Sequence, residues 1–106
     1  MAADDPALAQ SRTLIVDARP AASFAEWHPK GAINVPFDYL VPAAPEQVRR
    51  IASSGAAHVV VFGDGGDPDS GEQLARELAG DGIRNVRFVA GGAAELRKLA
   101  PLGGGR

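Results

Sequence analysis

Apolar residues along this chain come in short unbroken runs, separated by polar, glycine-rich and proline-rich stretches. Three runs stand out: TLIVDA at 13–18, HVVVF at 58–62 and VRFVA at 86–90. They are short and rich in β-branched residues, which predicts strands buried on both faces. The segment AINVP at 32–36 reads as a further short extended piece. Between these runs the period changes. Residues 20–27 carry Phe24 and Trp27 on one helical face behind Pro20, and residues 45–53 open on Pro45 and stop before Gly55. Residues 71–79 place Leu74, Ala75, Leu78 and Ala79 on one stripe, with Glu72 and Arg76 as an i, i+4 pair. Asp69 with Glu72, or Ser70 with Gln73, supplies a capping box for that helix. Residues 93–99 form a last short helix after the Gly91-Gly92 turn.

Strands that alternate with helices, each strand a continuous apolar run, predict an α/β domain. Its sheet is parallel, with helices on both faces. Ligands in such sheets meet the loops at the carboxyl ends of the strands. Those loops are residues 17–20, 34–38, 63–70 and 91–92. The loop at 63–70, GDGGDPDS, lies between a buried strand and a helix N-terminus, where anions bind and nucleophiles sit.

Composition narrows the chemistry. At 106 residues the chain is read as a single domain over 1–106, with 1–11 and 101–106 expected to fray. The net charge is −2, and nine Arg and two Lys are scattered rather than clustered, so no nucleic-acid partner is expected. No apolar run approaches a membrane span, and MAADDPALAQ lacks the pattern of a signal peptide, so no membrane partner and a cytoplasmic setting are expected. Cysteine is absent. That excludes disulfides, thiolate metal sites and every thiol mechanism supplied by the chain itself.

The loop fails the common motif tests. A Walker loop needs a lysine after its second glycine, and none lies between positions 31 and 97. A dinucleotide fingerprint would place a third glycine where Pro68 stands. A nucleophile elbow around Ser70 would need glycines where Pro68 and Glu72 stand, so Ser70 reads as a cap. Asp64, Asp67, Asp69 and Glu72 offer oxygens but at no calcium-loop spacing, and a solvated acidic turn is the plainer reading. His28 and His58 have no second ligand at useful spacing, so no metal site is expected.

The order of these features resembles the rhodanese-like domains. LIVDARPAASFAEWHPKGAINVP is similar to that family's first signature: an Asp-x-Arg after a strand, an aromatic on the next helix, then a His turn leading to Gly-Ala-x-Asn-x-Pro. Asp17, Arg19, Phe24, His28, Gly31, Ala32, Asn34 and Pro36 match it. Pro29-Lys30 and Ser23 depart from it, and the family's usual first strand has no obvious counterpart before Thr13. The strand, loop, helix and NVRFVAGG that follow repeat the family's second half, so the resemblance covers roughly residues 12–100.

The resemblance implies a sheet of about five parallel strands with helices on both faces. It also implies a sulfurtransferase site in the loop at 63–70, whose N–H groups curl around a cysteine and stabilise its thiolate and persulfide. Here the nucleophile position is Gly63, and the rest of the loop is Asp64, Gly65, Gly66, Asp67, Pro68, Asp69 and Ser70, without a basic residue. Related-fold phosphatases need the same cysteine. Charge opposes anion binding too. A helix N-terminus favours an anion by roughly 0.3–1 kcal/mol. A carboxylate about 5 Å away opposes it by roughly 3 kcal/mol at an effective dielectric of 20, and by less than 1 kcal/mol in full solvent screening. The expectation is a degenerate loop with Asp17, Arg19, His28 and Asn34 as signature residues near it. No cofactor is expected, and the partner is an unidentified protein or fused domain. Two alternatives stay open: a carrier or sulfur-donor-binding domain that uses a partner's thiol, and a cation-binding acidic loop.

Overall fold

The computed structural model describes residues 1–66 and 68–98. Asp67, the expected end of the last helix at Leu99, and the expected frayed tail at 101–106 lie outside the described residues. Four parallel strands form one sheet in the order β2-β1-β3-β4: β1 Thr13–Asp17, β2 Ile33–Asn34, β3 His58–Phe62 and β4 Val86–Phe88. Helices α1 Ala21–Glu26, α2 Pro45–Ala52, α3 Ser70–Gly80 and α4 Gly92–Arg97 connect and follow them.

Strand alternation sorts the core into two layers. Leu14 and Val16 of β1 with Val59 and Val61 of β3 face α2 and α3, where Ile51, Leu74, Ala75 and Leu78 close the layer. Ile15, Val60 and Phe62 face the other way, against Phe24 and Trp27 from α1 and its end, and Ala93 and Leu96 of α4. The period of two in the strands and the α3 stripe therefore build one core on each face. β1 and β3 lie side by side, with Asp17 opposite Phe62. The chain steps from β1 to β2 on one side and later from β3 to β4 on the other, so the switch point falls between the carboxyl ends of β1 and β3.

Residues 1–11 are read from the sequence as fraying, although Pro6 followed by Ala7-Leu8-Ala9-Gln10 can start a short helix. In the structure Pro6–Ala9 form a 3-10 turn capped by Asp5, and Leu8 is buried in the second layer. Burial of that leucine stabilises a segment too polar to signal a core element. Met1 is tied to the end of β4 by two backbone hydrogen bonds: its N donates to Phe88 O at 2.8 Å, and its O accepts from Ala90 N at 2.8 Å.

Leu78 is fully buried, whereas Leu40 is 88% exposed. Leu78→Ala is expected to cost about 2–5 kcal/mol in urea unfolding, and Leu40→Ala to stay within about 0.5 kcal/mol.

Candidate functional site

At the end of β1 the carboxylate of Asp17 is wholly buried, and Arg19 is 7% exposed. Two residues apart, they turn the chain back on itself. Asp17 Oδ1 accepts from Arg19 N at 2.8 Å and from its Nε at 3.0 Å, and Oδ2 accepts from Nη2 at 2.8 Å. The same Nη2 donates to Trp27 O at 2.6 Å, tying the end of α1 to the strand. The guanidinium lies 5.3 Å from the Phe62 ring centre and 5.7 Å from that of Trp27. A charge pair this deep is tolerable because the carboxylate oxygens, Nε and Nη2 are matched and aromatic faces cover the cation.

Asn34 joins this knot, and His28 braces the exit of α1. Asn34 Nδ2 donates to Asp17 O at 3.0 Å and to Arg19 O at 2.9 Å. His28 stacks on Phe24 with ring centres 3.8 Å apart, and its Nδ1 lies 2.7 Å from Phe24 O. The four signature residues thus brace the end of β1 and the exit of α1. Ala18 N donates to Phe62 O at 2.8 Å, which joins this knot to the strand that feeds the next loop.

That loop, after β3, is closed over itself. A Cβ on the buried Gly63 would overlap Ser70 Oγ and Gly71 N and lie 2.9 Å from Asp69 Oδ1. Gly63 does not have a positive φ, so glycine is required there by close approach and not by backbone conformation. Asp69, 8% exposed, caps α3 by accepting from Gly71 N at 2.9 Å. Ser70 Oγ donates to Asp64 Oδ1 at 3.2 Å and lies 3.4 Å from Asp64 N. Glu72 takes no part in the cap and pairs with Arg76 at 2.7 Å.

The loop after β4 locks the first one from behind. Ala93 N donates to Gly63 O at 2.8 Å, and a Cβ on Gly92 would overlap Gly63 O and sit 2.5 Å from Gly65 N. The sequence marks Gly91-Gly92 only as a turn; their role as a backing plate for the β3 loop depends on contacts remote in the chain.

In front of the loop lies a cleft of about 350 Å³, lined by Ala18, Pro20, Phe37, Asp38, Tyr39, Asp64, Pro68 and Ser70. Phe37 and Tyr39 meet edge to face with ring centres 5.0 Å apart. Of the sequence-predicted loop residues, Asp64, Pro68 and Ser70 reach this cleft, while Gly63 and Asp69 lie buried beneath it. Phe37 and Asp38 fall in the 34–38 loop that the sequence places at a strand's carboxyl end, though not as site residues, and Tyr39 lies just beyond it. The alternation of aromatic and acidic residues there is the signal that was available. Among the described residues, no group of three or more His, Cys, Asp or Glu could hold a metal ion. No helix among them is long and apolar enough to cross a membrane.

Comparison with known proteins gives a consistent picture. The family model described as Rhodanese-like domain matches residues 4–99. The crystal structure of the Alr3790 protein from Anabaena sp. superposes with a TM-score of 0.70 at 21% identity, covering 92% of this chain and 71% of that one. The solution structure of the rhodanese-like domain of the same Anabaena protein gives 0.66 at 23% identity, covering 92% and 68%. The N-terminal domain of a Clostridium difficile 630 protein gives 0.65 at 20% identity, covering 89% and 93%. No curated protein sequence matches the chain.

Two stability measurements check this geometry. Arg19→Leu leaves the Asp17 carboxylate buried without its partner and is expected to cost about 3–5 kcal/mol in equilibrium unfolding, with Asp17→Asn added on top recovering about half. Gly63→Ala is expected to cost about 1–3 kcal/mol. Removing the Ser70 hydroxyl as well should not restore it, because the backbone nitrogen of Gly71 remains in the way.

Proposed function

The chain belongs to the rhodanese-like domain family, and from that premise we propose that it is a member without sulfurtransferase activity, serving as a regulatory or protein-interaction module. The observation that carries this reading is the filling of the space beside Gly63. Gly63 stands where active members carry the cysteine nucleophile, and the volume its side chain would enter holds Ser70 Oγ, Gly71 N and the Asp69 carboxylate.

Sulfur transfer needs a thiolate held by converging amides. The chain has no cysteine at any position. The amide of Gly71 is taken by Asp69, and Ser70 Oγ sits against that of Asp64. The loop therefore holds an anion of its own making, the Asp69 carboxylate, at the entrance to α3. A donor such as thiosulfate would have to displace that cap and approach the exposed Asp64, whose repulsion offsets the attraction of one helix end. What persists is the scaffold: the Asp17–Arg19 knot, the glycine lock and the cleft in front of them. A rigid scaffold with a cleft and no reactive atom suits binding.

A thiosulfate:cyanide sulfurtransferase assay tests the reading directly. The chain is expected to give no turnover above background, and Gly63→Cys is expected to stay blank too, since the new side chain has no room beside Gly71. Turnover by the unmodified chain would overturn the proposal, and turnover by Gly63→Cys would overturn the claim that the loop is closed.

A further inference from the structure

We propose that the cleft in front of the β3 loop receives a cationic side chain, arginine or lysine, presented by a partner polypeptide with apolar residues beside it. This inference rests on reading the domain as an interaction module, and it names the chemistry of the partner.

Three observations converge on the cleft. One is its charge. Asp38 and Asp64 are both exposed and both line it. Among the described residues neither has a cationic partner: the four ion pairs involve Asp17, Glu72, Glu26 and Glu95. Arg19, the cation closest in sequence to the cleft wall at Ala18 and Pro20, is turned inward and spent on Asp17 and Trp27. The second is the wall material. Phe37 and Tyr39 line the cleft beside these carboxylates, and an aromatic face next to a carboxylate suits the alkyl stem and the charged head of a long basic side chain. The third is the rim. Tyr39, Leu40 and Val41 are 68%, 88% and 62% exposed, consecutive, and the exposed large hydrophobic residues among those described. The turn that presents them is held, with Asp38 Oδ1 accepting from Leu40 N at 2.8 Å and Ala43 N donating to Glu77 Oε2 at 2.7 Å.

Negative charge without a counterion inside the cleft and an apolar ridge at its edge are complementary to a basic residue flanked by apolar ones. A small anion finds no cation there, and a purely apolar ligand would desolvate two carboxylates without compensation. The basic side chain enters between Asp38 and Asp64 along the aromatic wall, and its neighbours cover Leu40 and Val41.

The test uses the full chain, 15N-labelled, titrated with the peptide acetyl-Gly-Leu-Arg-Leu-Gly-amide. Two controls replace arginine with citrulline, which keeps the shape and loses the charge, or with glutamate. The arginine peptide is expected to shift the amides of residues 37–41 and 64–66 saturably. The citrulline peptide should bind about fivefold more weakly or worse, and the glutamate peptide should not bind. Asp38→Asn with Asp64→Asn keeps the oxygens that accept from Leu40 N and Ser70 Oγ. It should weaken the arginine peptide about two- to fivefold per carboxylate, the range of exposed charge pairs, and leave the folded spectrum intact.

Equal binding of the citrulline peptide, shifts that map away from the cleft, or no shifts at all would overturn the inference. So would saturable shifts of the same amides by calcium chloride together with a flat peptide titration, which would make the cleft a metal site. The sulfurtransferase assay on the same preparation separates the two readings. A blank assay with a flat peptide titration removes only this inference, and turnover removes the interaction-module reading on which it stands.

Discussion

The end of β1 is held by one buried ion pair, and the rest of the site is arranged around it. Asp17 is wholly buried and Arg19 nearly so, so the lone pairs of the one and most donors of the other must be met by protein. The way they are met defines the geometry. Arg19 draws the Trp27 carbonyl inward, which places the exit of α1. Its guanidinium covers Phe62, which ties it to β3. The carbonyls of Asp17 and Arg19 hold the Asn34 amide, which sets β2 beside β1. Such a pair adds little net stability over a well-packed apolar substitute, but it admits few alternative arrangements. Its contribution is to make the junction of two strands and a helix single-valued.

The glycine lock is the second constraint, and it follows from the first through β3. With Phe62 pinned beneath Arg19, the chain leaves the sheet at Gly63 between the N-terminus of α3 and the loop after β4. Backbone packs against backbone there: Gly71 on one side, and Gly92 with the Ala93 amide on the other. Without side chains between them these segments approach closely, and the hydrogen bonds of the Asp69 cap and the Ser70 hydroxyl seal the arrangement. At the start of this loop the backbone plan encloses a glycine. The outer surface keeps a cleft, but its polarity is set by exposed carboxylates instead of converging amides.

Much of this was legible in the residues. The short β-branched runs marked the strands, and the stripe at Leu74, Ala75 and Leu78 marked the buried face of α3. A cap at Asp69 or Ser70 was legible, and the structure places it on Asp69. The family was recognisable from Asp17, Arg19, His28 and Asn34 in their spacing, and the family model over 4–99 agrees. At the head of the chain the short helix start at Pro6 was legible, but its packing was not. Residues 1–11 carry only two large apolar side chains, and their order comes from those two, Leu8 and Met1, meeting the second core layer and the edge of β4. A contact with an element more than eighty residues away leaves no periodicity to detect.

The sequence by itself determined that this chain forms an α/β domain of parallel strands and that it has no thiol to react, because strand and helix periodicity are local and an absent element cannot be supplied by folding. Only the tertiary structure decided that the space beside Gly63 is filled and that Asp38, Asp64, Phe37 and Tyr39 share one cleft. Volume and charge at a point depend on which distant segments meet there. The sheet brings residues 17, 37 and 64 together through pairing and close packing that no single stretch of the chain encodes.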